Sequence, residues 1–310
     1  MDESILYLQK IHEIKVVKLE KEKVNERKRI GIGGFSKVLS GLYLSLPVAI
    51  KKLKNCNYKD FFKEISLINR FKHYYVPVLI GITIKETKAP VIITELIKGE
   101  HLDKYVKSKN ISDIQILIHL LDLASVLEYL HSFKFIHRDL KPSNIIIDDK
   151  LDIKLLDFGI SKVSDKTITN TLTIGTLIYM APENFNIIND EGQTMTETNR
   201  SYISTKVDIW AFGCLVSELF SGMKPWSGKD DNQIISLLFS KKKFEIPKKI
   251  TDIEILLLIE SCVKINPLER IDISQVKNIL LKILYRKYLE GKKNILFENI
   301  SNSKKSKINT

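Results

Sequence analysis

The 310 residues predict an α+β chain of two lobes, a small sheet-rich one followed by a mainly helical one. Short β-like runs broken by turn residues fill the part before residue 97, and long helical periodicity takes over after Lys98-Gly99-Glu100. The composition, 44% hydrophobic and 28% charged, is that of a chain able to bury ordinary cores rather than of a disordered one.

Residues 4–26 alternate apolar and charged side chains and read as an amphipathic lead-in, helix or strand. Two β-like runs, 29–34 and 38–43, flank a Gly-rich turn, and Val48-Ala49-Ile50-Lys51 forms the next strand. A helix is expected over 58–71, with Phe61, Phe62, Ile65, Leu67 and Ile68 near one face and Glu64 among them. Strands over 76–84 and 90–96 complete the first lobe. Helices follow at 111–132, 202–221, 232–239, 253–263 and 274–288, and the polar, Lys-rich stretch from about Gly291 reads as a loose tail. The chain therefore divides into an N-terminal extension (1–22), a first lobe (23–97), a second lobe (98–290) and a basic flexible tail (291–310).

Lys and Arg exceed Asp and Glu by 49 to 37, a net charge of +12. The lysines are scattered, with no Arg-rich block, no aromatic-basic interleaving and no zinc-finger spacing, so no nucleic-acid partner is expected. Cys56, Cys214 and Cys262 lie far apart without a CxxC pair, which argues against a disulfide framework or structural zinc and fits a reducing compartment. The acidic start, Met1-Asp2-Glu3-Ser4, resembles neither a secretory signal nor a myristoylation site. Asp122 interrupts the most apolar stretch, 114–130, so no transmembrane segment is expected, and the location expected is cytoplasmic, with nuclear as alternative.

Chemistry concentrates in three places. Gly31-Ile32-Gly33-Gly34-Phe35-Ser36-Lys37-Val38 is a phosphate-binding candidate, because glycines let backbone N–H groups approach phosphate oxygens. Lys51 ends an apolar β-run, and Glu64, a carboxylate among apolar neighbours, needs a partner that Lys51 can supply. His137-Arg138-Asp139-Leu140-Lys141-Pro142-Ser143-Asn144 holds a carboxylate, cations and an amide in one loop, and Asp157-Phe158-Gly159 follows a strand-like run. Asn144 and Asp157 offer a hard metal ion its oxygen donors, while Asp139 is left to orient a hydroxyl.

In this order and spacing, the Gly loop, VAIK, helix Glu, HRDLKPSN, DFG, Gly175-Thr176-Leu177-Ile178-Tyr179-Met180-Ala181-Pro182-Glu183 and Asp208-Ile209-Trp210-Ala211-Phe212-Gly213 resemble the eukaryotic protein kinase family over roughly residues 23–288. The resemblance implies the bilobal protein-kinase fold, with a small antiparallel-sheet N-lobe and a mainly helical C-lobe. It implies ATP and Mg2+ (Mn2+ as alternative) as cofactors. Ile30, Gly31, Gly33, Gly34, Phe35, Val38, Ala49, Lys51, Thr94, Glu95, Ile97 and Ile146 would line the nucleotide, Thr94 gating the adenine pocket. Lys51 would bind the α/β-phosphates and be held by Glu64, Asp139 would take or orient the substrate proton, Lys141 would steady the γ-phosphate, and Asn144 and Asp157 would hold the metal.

The same resemblance implies that Ile68, Leu79, His137 and Phe158 stack between lobes, anchored by Asp208, and that Glu183 and Arg270 form a buried ion pair. Lys141-Pro142-Ser143-Asn144 and the platform residue Thr176 are similar to Ser/Thr kinases, and 92–96 with 208–213 resemble the tyrosine-kinase-like group. Protein Ser/Thr hydroxyls are the implied substrates. Arg138 and Lys162 would receive a phosphate on Thr171 or Thr173, placed by an upstream kinase or by autophosphorylation in trans. Two departures stand out: Ser36 replaces the third glycine of the loop, and 184–206 is longer than the family pattern. A catalytically inactive ATP-binding scaffold and a dual-specificity kinase are the alternative readings.

Overall fold

The computed structural model describes residues 19–20, 23–32, 36–53, 61, 65, 68–85, 88–109, 111–157, 177–184 and 204–308. The first lobe is an antiparallel sheet in the order β1-β2-β3-β5-β4, built from β1 (Val24–Ile32), β2 (Ser36–Tyr43), β3 (Leu46–Leu53), β4 (Leu79–Lys85) and β5 (Lys88–Glu95). Its two faces are both buried, as alternation along β5 shows. Ile92 joins Leu53, Phe61, Ile65 and Ile82, while Val91 and Ile93 join Leu19, Leu39, Val48 and Ile50. The helix expected over 58–71 is seen at Phe61, Ile65 and 68–70; its other positions, Glu64 included, lie outside the described residues.

A second antiparallel sheet, β6 (Gly99–His101), β7 (Ile145–Asp148) and β8 (Ile153–Leu155), floors the junction between lobes. The sequence reading has no β6 or β7, because three- and four-residue strands give too few alternations to register. Gly99 is required there: a Cβ would stand 2.1 Å from the Ile147 carbonyl oxygen.

The second lobe is helical: α1 (Leu102–Ser108), α2 (Asp113–Ser132), α3 (Lys206–Ser221), α4 (Asp231–Phe239), α5 (Ile253–Cys262) and α6 (Ile273–Ile308). Helix α2 opens on a capping box between Ser112 and Gln115, α4 on one between Asp230 and Gln233, and α3 stops at Gly222 in the left-handed region, φ +72°. Central α3 is buried nearly all round, Trp210, Phe212 and Leu215 at 0% exposure. Helix α6 runs through Ile308, where the sequence reading has a loose tail from Gly291. A single glycine costs a helix only about 1 kcal/mol, so Gly291 does not end it. Among the described residues α2 alone is long and apolar enough to cross a membrane, which corrects the expectation that no stretch is. Leu117, Leu120 and Leu127 of α2 are instead part of the helical core.

Among the described residues the lobes are held together at more than one place. Beyond the covalent strand 96–98, the segment after the first-lobe helix is clasped by the second lobe. Phe71 packs its ring against Phe135 at 4.7 Å and against Tyr129 and Phe133, and Phe71 and Val76 belong to the helical lobe's core. Tyr75 donates its hydroxyl to Asp122 at 2.5 Å, Tyr74 donates to Asp152 at 2.6 Å, and Lys154 donates to the Tyr74 carbonyl. Asp122, read in the sequence only as an interruption of an apolar helix, is thus a partnered carboxylate facing the other lobe. Ile68 packs against both the first-lobe and second-lobe cores.

A buried ion pair closes the lower lobe. Arg270, 2% exposed, meets Glu183 in a fork, Nη1–Oε1 2.6 Å and Nη2–Oε2 2.8 Å. Its remaining N–H groups donate to the Lys264 and Lys206 carbonyls, and its plane lies over the Trp210 ring. Glu183→Ala would leave this guanidinium buried without its counter-charge, so the variant is expected to lose about 3–5 kcal/mol in denaturant unfolding; a loss under about 1 kcal/mol would contradict this account.

Candidate active site

The sheet sets the upper wall. Gly31 pairs with Val38 across β1 and β2, Val38 with Lys51 across β2 and β3, and Ala49 with Thr94 across β3 and β5. Ile50 is 1% exposed on one face of β3, so neighbouring Lys51 projects from the other, half-buried. Val38, Ala49, Thr94, Glu95, Ile97 and Ile146 are half-buried, and Ile30 is exposed. Gly33, Gly34 and Phe35, the tip of the glycine turn, lie outside the described residues, as do Glu64, Phe158, Lys162, Thr171, Thr173 and Thr176. Ser36, in place of a glycine, opens β2 and is buried.

Lys51 reaches across the cleft to Asp157, Nζ–Oδ1 2.6 Å, joining residues 106 positions apart. The Lys51 ammonium holds the Asp157 carboxyl below its ordinary range, so this side chain stays an anion. Asp157 has φ +55°, a left-handed backbone that costs a non-glycine residue about 1–3 kcal/mol and persists where surrounding structure enforces it. Enforcement comes from next door: the Leu156 N–H donates to the Asn144 carbonyl, and the Leu156 carbonyl accepts from His137 Nε2.

The loop 137–144 forms the lower wall. Asp139, 9% exposed, accepts from Lys141 Nζ on both carboxylate oxygens, at 3.0 and 2.9 Å, and from Asn144 Nδ2 at 2.9 Å. Asn144 also donates to the Asp139 carbonyl at 2.7 Å. Both bonds use its amide nitrogen, so the oxygen is the atom it can offer a cation. Asp139 is thus more tightly held than the sequence suggests, its carboxylate fixed by Lys141 and Asn144 at the two ends of the 3-10 turn Pro142–Asn144.

Asp208, fully buried in the first turn of α3, fastens this loop from beneath. It accepts from the His137 N–H at 2.9 Å, the Arg138 N–H at 2.9 Å and His131 Nε2 at 2.8 Å. Arg138 has φ +66°, and the paired N–H bonds hold that strained turn. Burial opposes the Asp208 charge, but the His131 bond and the two backbone donors bring its carboxyl below the usual range. His131 is a partner that sequence reading missed; its only signal is a polar ring in the last turn of an otherwise apolar helix.

Metal ligands need deprotonated oxygens, phosphates need cations and backbone N–H groups, and a hydroxyl nucleophile needs a fixed acceptor. Asp157 and Asn144, Lys51 and Lys141, and Asp139 meet these needs respectively. Among the described residues no cluster of three His, Cys, Asp or Glu side chains forms a metal cage.

The depressed Asp208 carboxyl fixes the sign of a pH effect. Its stabilising contribution is full above the ordinary carboxylate value of 3.8 and is lost as pH falls through its lower folded value. Asp208→Asn should therefore be markedly less stable than the parent near neutral pH, with the gap closing in acid. Parallel denaturation curves at two pH values check this, and a gap that widens in acid would refute it.

Comparison with known proteins agrees with this geometry. The family described as "Protein kinase domain" matches residues 24–280. A probable serine/threonine-protein kinase of Dictyostelium discoideum is 31% identical over 265 residues, covering 82% of this chain and 27% of that protein. A second from that organism, the probable serine/threonine-protein kinase kinX, is 35% identical over 63% of this chain and 18% of its own length. Mitogen-activated protein kinase mpkC of Aspergillus terreus is 31% identical over 72% of this chain and 59% of its own. The chain thus spans between 18% and 59% of the length of these relatives. The antiparallel upper sheet, the helical lower lobe and the matched residues together place the chain in the eukaryotic protein kinase family.

Proposed function

We propose that the chain is a protein serine/threonine kinase that moves the γ-phosphate of Mg-ATP onto Ser or Thr hydroxyls of other proteins. One observation carries the reading: Lys51 of the upper sheet and Asp157 of the lower lobe meet at 2.6 Å, above a loop in which Asp139, Lys141 and Asn144 are mutually bonded. When bound, Mg-ATP supplies the phosphoryl group and the cation that shares its charge. The chain's own residues position and neutralise. Lys51 is placed to hold phosphate oxygens as a point charge, and Asp157, kept ionised, and the Asn144 oxygen offer hard donors to the metal. Asp139 is oriented by Lys141 and Asn144 to accept the proton of the incoming hydroxyl, and Lys141 supplies positive charge one bond away.

Three features support Ser/Thr as the acceptor: the Lys141-Pro142-Ser143-Asn144 loop, Thr176 ahead of the turn 177–179, and the serine/threonine-kinase names of the relatives. Nothing favours the inactive-scaffold reading, since Lys51, Asp139, Asn144 and Asp157 are present and gathered. The test is transfer of labelled phosphate from Mg-ATP to a generic basic protein, followed by phosphoamino-acid analysis. Asp139→Asn is expected to lower the rate at least about a hundredfold. Label on neither Ser nor Thr, or an unimpaired Asp139→Asn chain, would sink the proposal.

The activation residues named from sequence belong to this proposal too. Arg138 has no ion-paired carboxylate among the described residues beyond the Asp208 that holds its backbone, and burial pulls its guanidinium below the ordinary arginine value. A half-buried cation so placed suits a phosphate on Thr171 or Thr173, added by an upstream kinase or in trans. A Thr171→Ala/Thr173→Ala chain should lose most of its activity while still binding nucleotide. Full activity in that variant would count against the switch.

A further inference from the structure

The lysines read as scattered include one dense run, to which the fold adds a sixth. Five of the nine residues from 241 to 249 are lysine, namely Lys241, Lys242, Lys243, Lys248 and Lys249, and all are exposed. This stretch links α4 to α5, and two contacts press it against the turn after α3. The rings of Trp226 and Phe244 lie 6.0 Å apart, and a Cβ on Gly222 would stand 3.9 Å from Lys249 Nζ. Exposed Lys224 sits on that turn, and Met223 and Phe239, 44% and 48% exposed, lie at the rim.

Elsewhere in this lobe basic side chains find acids: Lys206 pairs with Asp272, Lys277 with Glu128, Lys287 with Asp113 and Arg286 with Asp252, at 2.6–2.9 Å. The six lysines of this flank make no ion pair among the described residues, although Glu245 is exposed between them and Asp230 and Asp231 open α4. Asp230 is committed to capping through the Gln233 N–H. Like charges crowded this way repel, and an arriving anion relieves the repulsion.

The flank is continuous with a helix that reaches toward the segment after Thr176. Helix α4 packs against the turn 177–179, which directly follows Thr176. Tyr179 in that turn donates to Glu218, whose carboxyl burial pushes up while the charges of Lys224 and Lys107 pull it down.

We infer that this flank is a docking surface for an acidic segment of the protein substrate, held beside the hydroxyl to be phosphorylated. The inference rests on the protein kinase reading. Six ammonium groups without an arginine fork act as point charges rather than as planar readers of phosphate or bases. Met223 and Phe239 supply the apolar contacts that a polypeptide segment carries alongside its carboxylates.

The experiment uses the full chain with a short Ser/Thr peptide, with and without a run of glutamates appended. The tail is expected to lower KM roughly tenfold at low salt, an advantage that fades as salt screens it. Lys241→Glu/Lys242→Glu/Lys243→Glu/Lys248→Glu/Lys249→Glu should abolish the advantage and leave kcat/KM for the untailed peptide unchanged. The matching Lys→Gln set, milder on folding, should act in the same direction. A parallel arm measures anisotropy of the labelled tailed peptide on the Asp139→Asn chain, which reads docking without catalysis. Lysine-dependent binding without any phosphate transfer by the parent would sink the kinase reading and leave the docking surface standing. Transfer with no tail advantage, or an advantage that survives the lysine changes, overturns the docking surface. Tighter lysine-dependent binding of phosphatidylserine-phosphatidylcholine vesicles or of duplex RNA than of the tailed peptide overturns it as well.

Discussion

Everything at the lower wall of the cleft depends on one carboxylate that never sees water. Asp208 takes two backbone N–H groups from residues 137 and 138 and a ring nitrogen from His131, so α2, α3 and the loop carrying Asp139 meet at a single side chain. Burying a charge is costly unless every lone pair is engaged, and here three donors engage it. Because both N–H bonds come from consecutive residues, they dictate the left-handed turn at Arg138 and hence the direction in which Asp139 leaves the loop. His137 then passes the constraint onward through Leu156 to Asp157.

The parts legible in sequence are those that local pattern or ordered motifs encode. Alternation along 48–51 and 90–96 marks central strands, and the Ser112–Gln115 and Asp230–Gln233 boxes fix helix starts within a residue or two of where periodicity suggests. Asp139, Lys141 and Asn144 fall within six positions, so their mutual bonding follows from one tight turn. By contrast Lys51 and Asp157 are 106 residues apart, and no spacing rule brings them together; only the family resemblance does.

Other features carried weak signals or none. Three-residue β6 is too short to show a period, and α1 over 102–108 is barely two turns. Helix α6 outruns its expected end because polarity alone does not stop a helix that lacks a proline. In the sequence the lysines of 241–249 pass as part of a scattered basic excess, and the fold brings Lys224 to them without an ion pair among the described residues. The Asp122–Tyr75 bond could have been anticipated as a need, a carboxylate among apolar helix residues seeking a donor, but not as an answer, since Tyr75 comes from the other lobe's trailing segment.

That trailing segment has a mechanical meaning. Among the described residues two of the junctions between lobes, the chain leaving β5 at 96–98 and the aromatic clasp at 71–76, lie by the β4-β5 edge of the sheet, while the Lys51–Asp157 bond spans the cleft. Two fixed points define an axle. Rocking of the lobe about that line leaves β5 and β4 nearly still and carries β1 with Gly31, at the opposite margin, through the widest arc, the Lys51–Asp157 bond being what such rocking strains. Lys51, on the middle strand, travels an intermediate path, so the sheet works as a lever whose short arm carries the cation and whose long arm carries the rim that sweeps over the cleft.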